Sequence, residues 1–140
     1  MLRISREDFK RVIDHCITGF PNEACGILAG NSGRVKKVYC MTNAKPGPTY
    51  YEMDPAEQFS VMKDMREAGL DMLGIFHSHP TSTAYPSKID IDKAYWPGTL
   101  YPNYPGAVYV IVSLMDMSSP VAKGYFITQG AVKEVHIEVE

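Results

Sequence analysis

His77 and His79 stand two residues apart at the end of the apolar run DMLGIFHSHP. In a strand, alternate side chains share one face, so both imidazoles can converge on one ion. An isolated His-x-His also suits one buried structural histidine beside one surface histidine. Pro80 ends the strand and leaves the pair at an open edge. Asp90 follows on the first turn of a short helix that Ser87 opens, where a carboxylate completes a His, His, Asp set with a fourth position left for water. Zinc is the natural occupant, although Fe(II) accepts the same two-histidine, one-carboxylate set. Asp90 has a second explanation as the acid of a capping box with Ser87, and Asp92, two residues on, points about 200° away from it. Hydrolysis also needs a group that takes a proton from water and returns it to the leaving group. Glu23, just before the apolar segment ACGILAG, is the candidate, because partial burial raises a carboxyl pKa toward a general base's working range. A surface carboxylate at a strand end is the plainer alternative.

In order and spacing these positions resemble the JAMM motif of the MPN-domain metallopeptidases. That pattern is an early Glu, then His-(Ser/Thr)-His-Pro, seven residues counted from that Pro, then Ser-x-x-Asp. The chain reads Glu23, His77-Ser78-His79-Pro80, residues 80–86, and Ser87-Lys88-Ile89-Asp90. The resemblance spans nearly the whole chain. It implies an α/β sandwich similar to that of the cytidine deaminases, with a mixed, mostly antiparallel sheet flanked by helices. It further implies one zinc on His77, His79 and Asp90, Glu23 as acid and base, and Ser87 stabilising the oxyanion. Ser78 points to the opposite face and reads as structural.

The elements that must position these residues are legible in outline. Ser5 precedes an amphipathic pattern (Phe9, Val12, Ile13, Cys16, Ile17, Phe20) that predicts a helix ended by Pro21 and Asn22. ACGILAG and VKKVYCMTN predict an antiparallel pair about the turn Asn31-Ser32-Gly33, and residues 50–53 a further strand. Asp54 and Pro55 open a helix over 55–68, DMLGIFHSHP is a strand, and AVYVIVSLM, VAKGYFIT and AVKEVHIEV finish the chain as three more. The Pro- and Tyr-rich stretches TSTAYP and 96–106 suit a functional rim.

Composition excludes other classes. A chain of 140 residues, 45% hydrophobic and 21% charged, fits one soluble domain over residues 1–140. No apolar run reaches the roughly 18–20 residues that cross a membrane. The first ten residues, MLRISREDFK, carry charges where an export signal would be apolar, and Cys16, Cys25 and Cys40 are an odd number without metal-type spacing. Both observations point to a cytoplasmic protein with reduced thiols. A net charge of −2 offers no footprint for nucleic acid.

The resemblance implies cleavage of a peptide or isopeptide bond at the C-terminal tail of a ubiquitin-like protein. A single-domain form is similar to the prokaryotic branch, whose implied partner is a small β-grasp sulfur carrier ending in Gly-Gly. Either cysteine is released from a carrier adduct or a carrier is trimmed to expose Gly-Gly. A homodimer is compatible with this reading. The alternatives are a general ubiquitin-like deconjugase and a catalytically silent MPN-type scaffold. A phosphoesterase built from His-x-His would need more histidines than His15, expected on the polar side of the first helix, and His136, expected in the final strand.

Overall fold

The computed structural model describes residues 1–140. In chain order the elements are β1 (Leu2–Ile4), α1 (Arg6–Gly19), β2 (Cys25–Asn31), β3 (Arg34–Met41), α2 (Pro55–Glu67), β4 (Asp71–His79), α3 (Lys88–Lys93), β5 (Val108–Ser113), β6 (Val121–Thr128), β7 (Ala131–Val135) and β8 (Ile137–Val139). The local signals act as expected. Ser5 caps α1 by accepting from Asp8 N, and Asp54 caps α2 by accepting from Glu57 N with Pro55 in the first turn.

All eight strands form one mixed sheet in the order β7-β6-β5-β4-β2-β3-β1-β8. β4 pairs parallel with β5 and antiparallel with β2. Strand β4 is thus central, and its residues Gly74 to His79 are buried. β7 and β8 lie at opposite edges yet are separated in the chain by His136 alone, so the sheet curls until its edges meet.

Two apolar clusters occupy the two sides of the sheet. On one, Val12 and Cys16 of α1 pack with Leu28, Phe76, Val110 and Val112. On the other, Met53, Met65 and Tyr95 pack with Ile27, Ile75, Tyr109 and Ile111. The strand period assigns Phe76 and Ser78 to the first side and Ile75, His77 and His79 to the second. Phe76 lies across Gly26, where a Cβ would collide with its ring.

Four features depart from the expectations. Residues 50–53 form no strand, and their one ladder-type backbone pairing is the isolated bridge Asn43 to Met53. Pro46 and Pro48 remove backbone donors here, and the Asn43 side chain takes the local backbone groups instead. It accepts from Lys45 N and Glu52 N, each at 3.0 Å, and donates to Tyr50 O at 3.2 Å. The N-terminal residues form β1, which pairs parallel with β8. The final strand is broken at exposed His136, whose carbonyl accepts from Leu2 N at 2.9 Å. His15 faces the sheet, not the polar side of α1. Its Nε2 lies 3.1 Å from both Cys25 O and Met41 O, and its ring meets Phe76 edge-on, a structural role.

Candidate metal centre

His77 and His79 end β4 on the same side of the sheet, and both are almost fully buried. Asp90 approaches them from the first turn of α3. The His77 Nε2 lies 3.1 Å from Asp90 Oδ1, the His79 Nε2 lies 2.9 Å from Oδ2, and the two Nε2 atoms are 3.2 Å apart. Two nitrogens bound at about 2.0–2.1 Å to a tetrahedral ion stand about 3.3 Å apart, so this spacing fits a shared metal. The second ring nitrogens decide which atom is free to coordinate. His79 Nδ1 lies 2.7 Å from Thr83 O, so it keeps a proton there, and loss of the second proton, which in the metal-free protein faces Asp90, leaves Nε2 as the lone-pair donor. Tyr51 stacks on His77, with ring centroids 4.8 Å apart and planes at 25°.

The electrostatics suit the same purpose. Burial drives His77 below the ordinary histidine range, which keeps it in the neutral form that binds metal. For His79 burial pulls downward too, but the bonds to Asp90 and Thr83 outweigh it and the net shift is upward. Asp90 is pushed up by burial and pulled further down by hydrogen bonds from His77 and His79, so its carboxyl stays well below the usual range. The two explanations of Asp90 hold together. Ser87 Oγ accepts from Asp90 N at 3.1 Å and Asp90 Oδ2 accepts from Ser87 N at 2.9 Å, a complete capping box, while the same carboxylate faces both imidazoles.

Glu23 is only 5% exposed, and its Oε1 is buried without a hydrogen-bond partner. Burial, and then the Asp90 charge, raise its pKa to about 7. Its backbone is held on both sides: Glu23 N donates to Gly47 O at 2.8 Å, and Asn43 Nδ2 donates to Glu23 O at 2.9 Å. Ser78 fixes the next peptide, since its Oγ accepts from Ala24 N at 2.8 Å and its own N donates to Ala24 O at 3.0 Å. The serine between the two histidines therefore positions the segment leading into β2 that carries the glutamate.

A cavity of about 1060 Å³ opens against His77 and Asp90 beneath residues 96–104. Tyr51 and Lys93 in its wall escaped the sequence reading. The Lys93 Nζ lies 3.7 Å from the Tyr51 ring centroid and 4.5 Å from that of Tyr50, and it donates to Tyr51 O. The signal for Lys93 was its spacing: three residues after Asp90 on a helix, it shares Asp90's face. Tyr51 carried no such signal, because it lies in a loop whose path depends on Asn43. Cys25 pairs in register with His77, and its thiol is buried and pushed up to about 12, an inert packing group.

Fold and site together define a metal-dependent hydrolase architecture, with two histidines and an aspartate around an ion position and a buried glutamate beside it. The chain belongs to the prokaryotic homologs of the JAB domain, whose family model matches residues 5–123. It is 37% identical over 130 residues to the CysO-cysteine peptidase of Mycobacterium tuberculosis, covering 91% of this chain and 84% of that protein. Among solved structures, protein DSY2949 from Desulfitobacterium hafniense superposes with a TM-score of 0.85 at 35% identity, covering 100% of this chain and 93% of that one. AF2198, a JAB1/MPN domain protein from Archaeoglobus fulgidus, superposes with a TM-score of 0.60 at 19% identity, covering 100% and 97%, and shares the fold. The expected MPN-type α/β fold is thus the observed one.

Proposed function

We propose that this chain is a zinc metallopeptidase that hydrolyses a peptide bond at the C-terminal tail of a ubiquitin-like sulfur-carrier protein. The observation that carries the reading is the meeting of both Nε2 atoms and the Asp90 carboxylate within 4.8 Å of one another, beside a buried glutamate with an unpartnered oxygen. The similarity to a CysO-cysteine peptidase over nine-tenths of the chain supports the substrate class. His77, His79 and Asp90 are the ligand set. When bound there, zinc supplies Lewis acidity, which makes water ionisable near neutral pH and a carbonyl carbon open to attack.

The chain's own residues do the rest. Glu23 Oε1, free of other partners, accepts the proton of the attacking water, and its pKa of about 7 is matched to that task. As the C–O bond forms, negative charge grows on the substrate carbonyl oxygen. The Ser87 Oγ already accepts from Asp90 N, so its own hydrogen is available to donate to that oxygen. When the C–N bond breaks, Glu23 returns the proton to the departing amine. Ser78 and Asn43 keep Glu23 in place throughout. No helix is long and apolar enough to cross a membrane, and a cytoplasmic setting, with three free thiols, belongs to the same proposal.

The test uses a β-grasp carrier extended beyond its Gly-Gly end. Zinc-loaded wild type shortens it to Gly-Gly by mass spectrometry, whereas Glu23→Gln keeps about one zinc per chain and leaves the carrier intact. Cleavage at the wild-type rate by Glu23→Gln would overturn the mechanism. A wild type that binds zinc but cleaves nothing would point to a scaffold.

A further inference from the structure

Lys93 is the one lysine or arginine in the wall of the cavity that touches His77 and Asp90. Its ammonium is half-buried and has no carboxylate within ion-pair distance, whereas the more exposed Lys45 nearby pairs with Glu52 at 3.0 Å. A cation withdrawn from water costs free energy unless an anion or aromatic faces compensate. The faces of Tyr50 and Tyr51 lie against the Lys93 ammonium and Tyr51 O accepts one of its protons, so its charge meets aromatic faces and a carbonyl but no anion. The acids of the wall leave it available: Glu52 is paired, Asp92 is exposed at the mouth, and Asp90 faces the histidines.

The placement is directional. Lys93 and Asp90 lie on one face of α3, about one helical turn apart. The cavity reaches His77 and Asp90 but not Glu23, His79 or Ser87, so it lies to one side of the reacting position. A bond cleaved at the metal centre sends one product that way. A backbone residue spans about 3.3–3.6 Å, so a group recognised one helical turn from Asp90 lies about one residue beyond the scissile bond.

We propose that Lys93 is a specificity-determining residue that binds the terminal α-carboxylate of the released amino acid, so that the enzyme removes one C-terminal residue in preference to cutting isopeptide bonds or internal peptide bonds. This rests on the hydrolase reading above and names the substrate feature it selects. An amino acid joined through its α-amine presents that carboxylate one residue from the cleaved amide, whereas a lysine side chain of a conjugated protein presents none. The surrounding Tyr95, Trp96, Leu100 and Tyr104 give the leaving residue an apolar bed.

The probe is the tripeptide acetyl-Gly-Gly-Leu as free acid and as C-terminal amide, together with acetyl-Gly-Gly-Leu-Ala-Ala as free acid. Zinc-loaded wild type should cleave the Gly–Leu bond of the tripeptide acid at least about 10-fold faster, in kcat/KM, than in either other peptide, the size of one charge-assisted hydrogen bond. Lys93→Met should reduce that ratio to within about twofold, and Lys93→Arg should keep most of it. Equal cleavage of acid and amide by wild type, or a ratio that survives Lys93→Met, overturns the inference and leaves the hydrolase intact. If wild type cleaves none of the three, the hydrolase reading is the one in question, and binding decides the inference instead. Trp96, the single tryptophan, lines this cavity, so its fluorescence in zinc-loaded Glu23→Gln should titrate at least about 10-fold tighter with the tripeptide acid than with the amide. Equal affinity, or no response, overturns it.

Discussion

The two sides of strand β4 differ in what they ask of the same six residues. Toward α1, Phe76 and Ser78 are fully buried in an aliphatic cluster, and their partners are apolar contacts and one peptide. Toward α3, His77 and His79 face a carboxylate, an aromatic stack and a carbonyl. One face is packed for stability and the other is wired for chemistry, and a period of two keeps them apart. The lesson is that the serine of His-Ser-His belongs to the first side by position yet serves the second, since it anchors the peptide after Glu23.

Substitutions on the two faces should therefore fail in different ways. The largest effect is expected from His77→Ala or Asp90→Ala: zinc content by elemental analysis falls from about one per chain toward zero, and cleavage disappears while the far-UV spectrum is kept. Glu23→Gln should lower kcat by about 10²- to 10⁴-fold with zinc retained, measured by steady-state kinetics on the extended carrier. On the other face, Phe76→Ala should cost about 3–5 kcal/mol in denaturant unfolding, while the variant that remains folded still binds zinc. Ser78→Ala strips Ala24 N of its acceptor, costing about 1–3 kcal/mol, and should also lower kcat without changing zinc content. A loss of stability with unchanged kcat would place Ser78 wholly on the packing side.

The smallest effect sharpens the contrast through pH. The folded pKa of Glu23, about 7, lies above its ordinary value of 4.5. The folded protein thus holds this proton more tightly than the unfolded chain, and stability is lost as pH rises from the lower value through the upper one. Metal-free Glu23→Gln, which cannot ionise, should melt higher than metal-free wild type above pH 7, with the gap narrowing toward pH 4.5. A gap independent of pH would contradict the burial of that carboxylate.

Much of this was legible in the residues, for reasons that differ from place to place. The meeting of His77, His79 and Asp90 was legible because its members follow local rules: two residues on a strand share a face, and Ser87-x-x-Asp90 marks a helix start. The fold's helices were legible through their caps at Ser5 and Asp54. Tyr51 and the absent strand at 50–53 were not, because Asn43 redirects that loop through side-chain bonds that no periodicity announces. β1 was hidden because three residues, LRI, gain their strand character only by pairing between β3 and β8, both distant in the chain. His15 was misplaced for a related reason: its acceptors, Cys25 O and Met41 O, come together only when β2 and β3 pair.

The capping box at α3 has a consequence for descent. Asp90 satisfies the helix start through Ser87 whether or not an ion is present, so a relative that has abandoned catalysis still has a reason to keep this aspartate. The imidazole of His77, with a buried Nδ1 that finds no partner, has no such second employment. Among diverged copies of this domain, loss of His77 should thus mark the end of catalysis sooner than loss of Asp90 does.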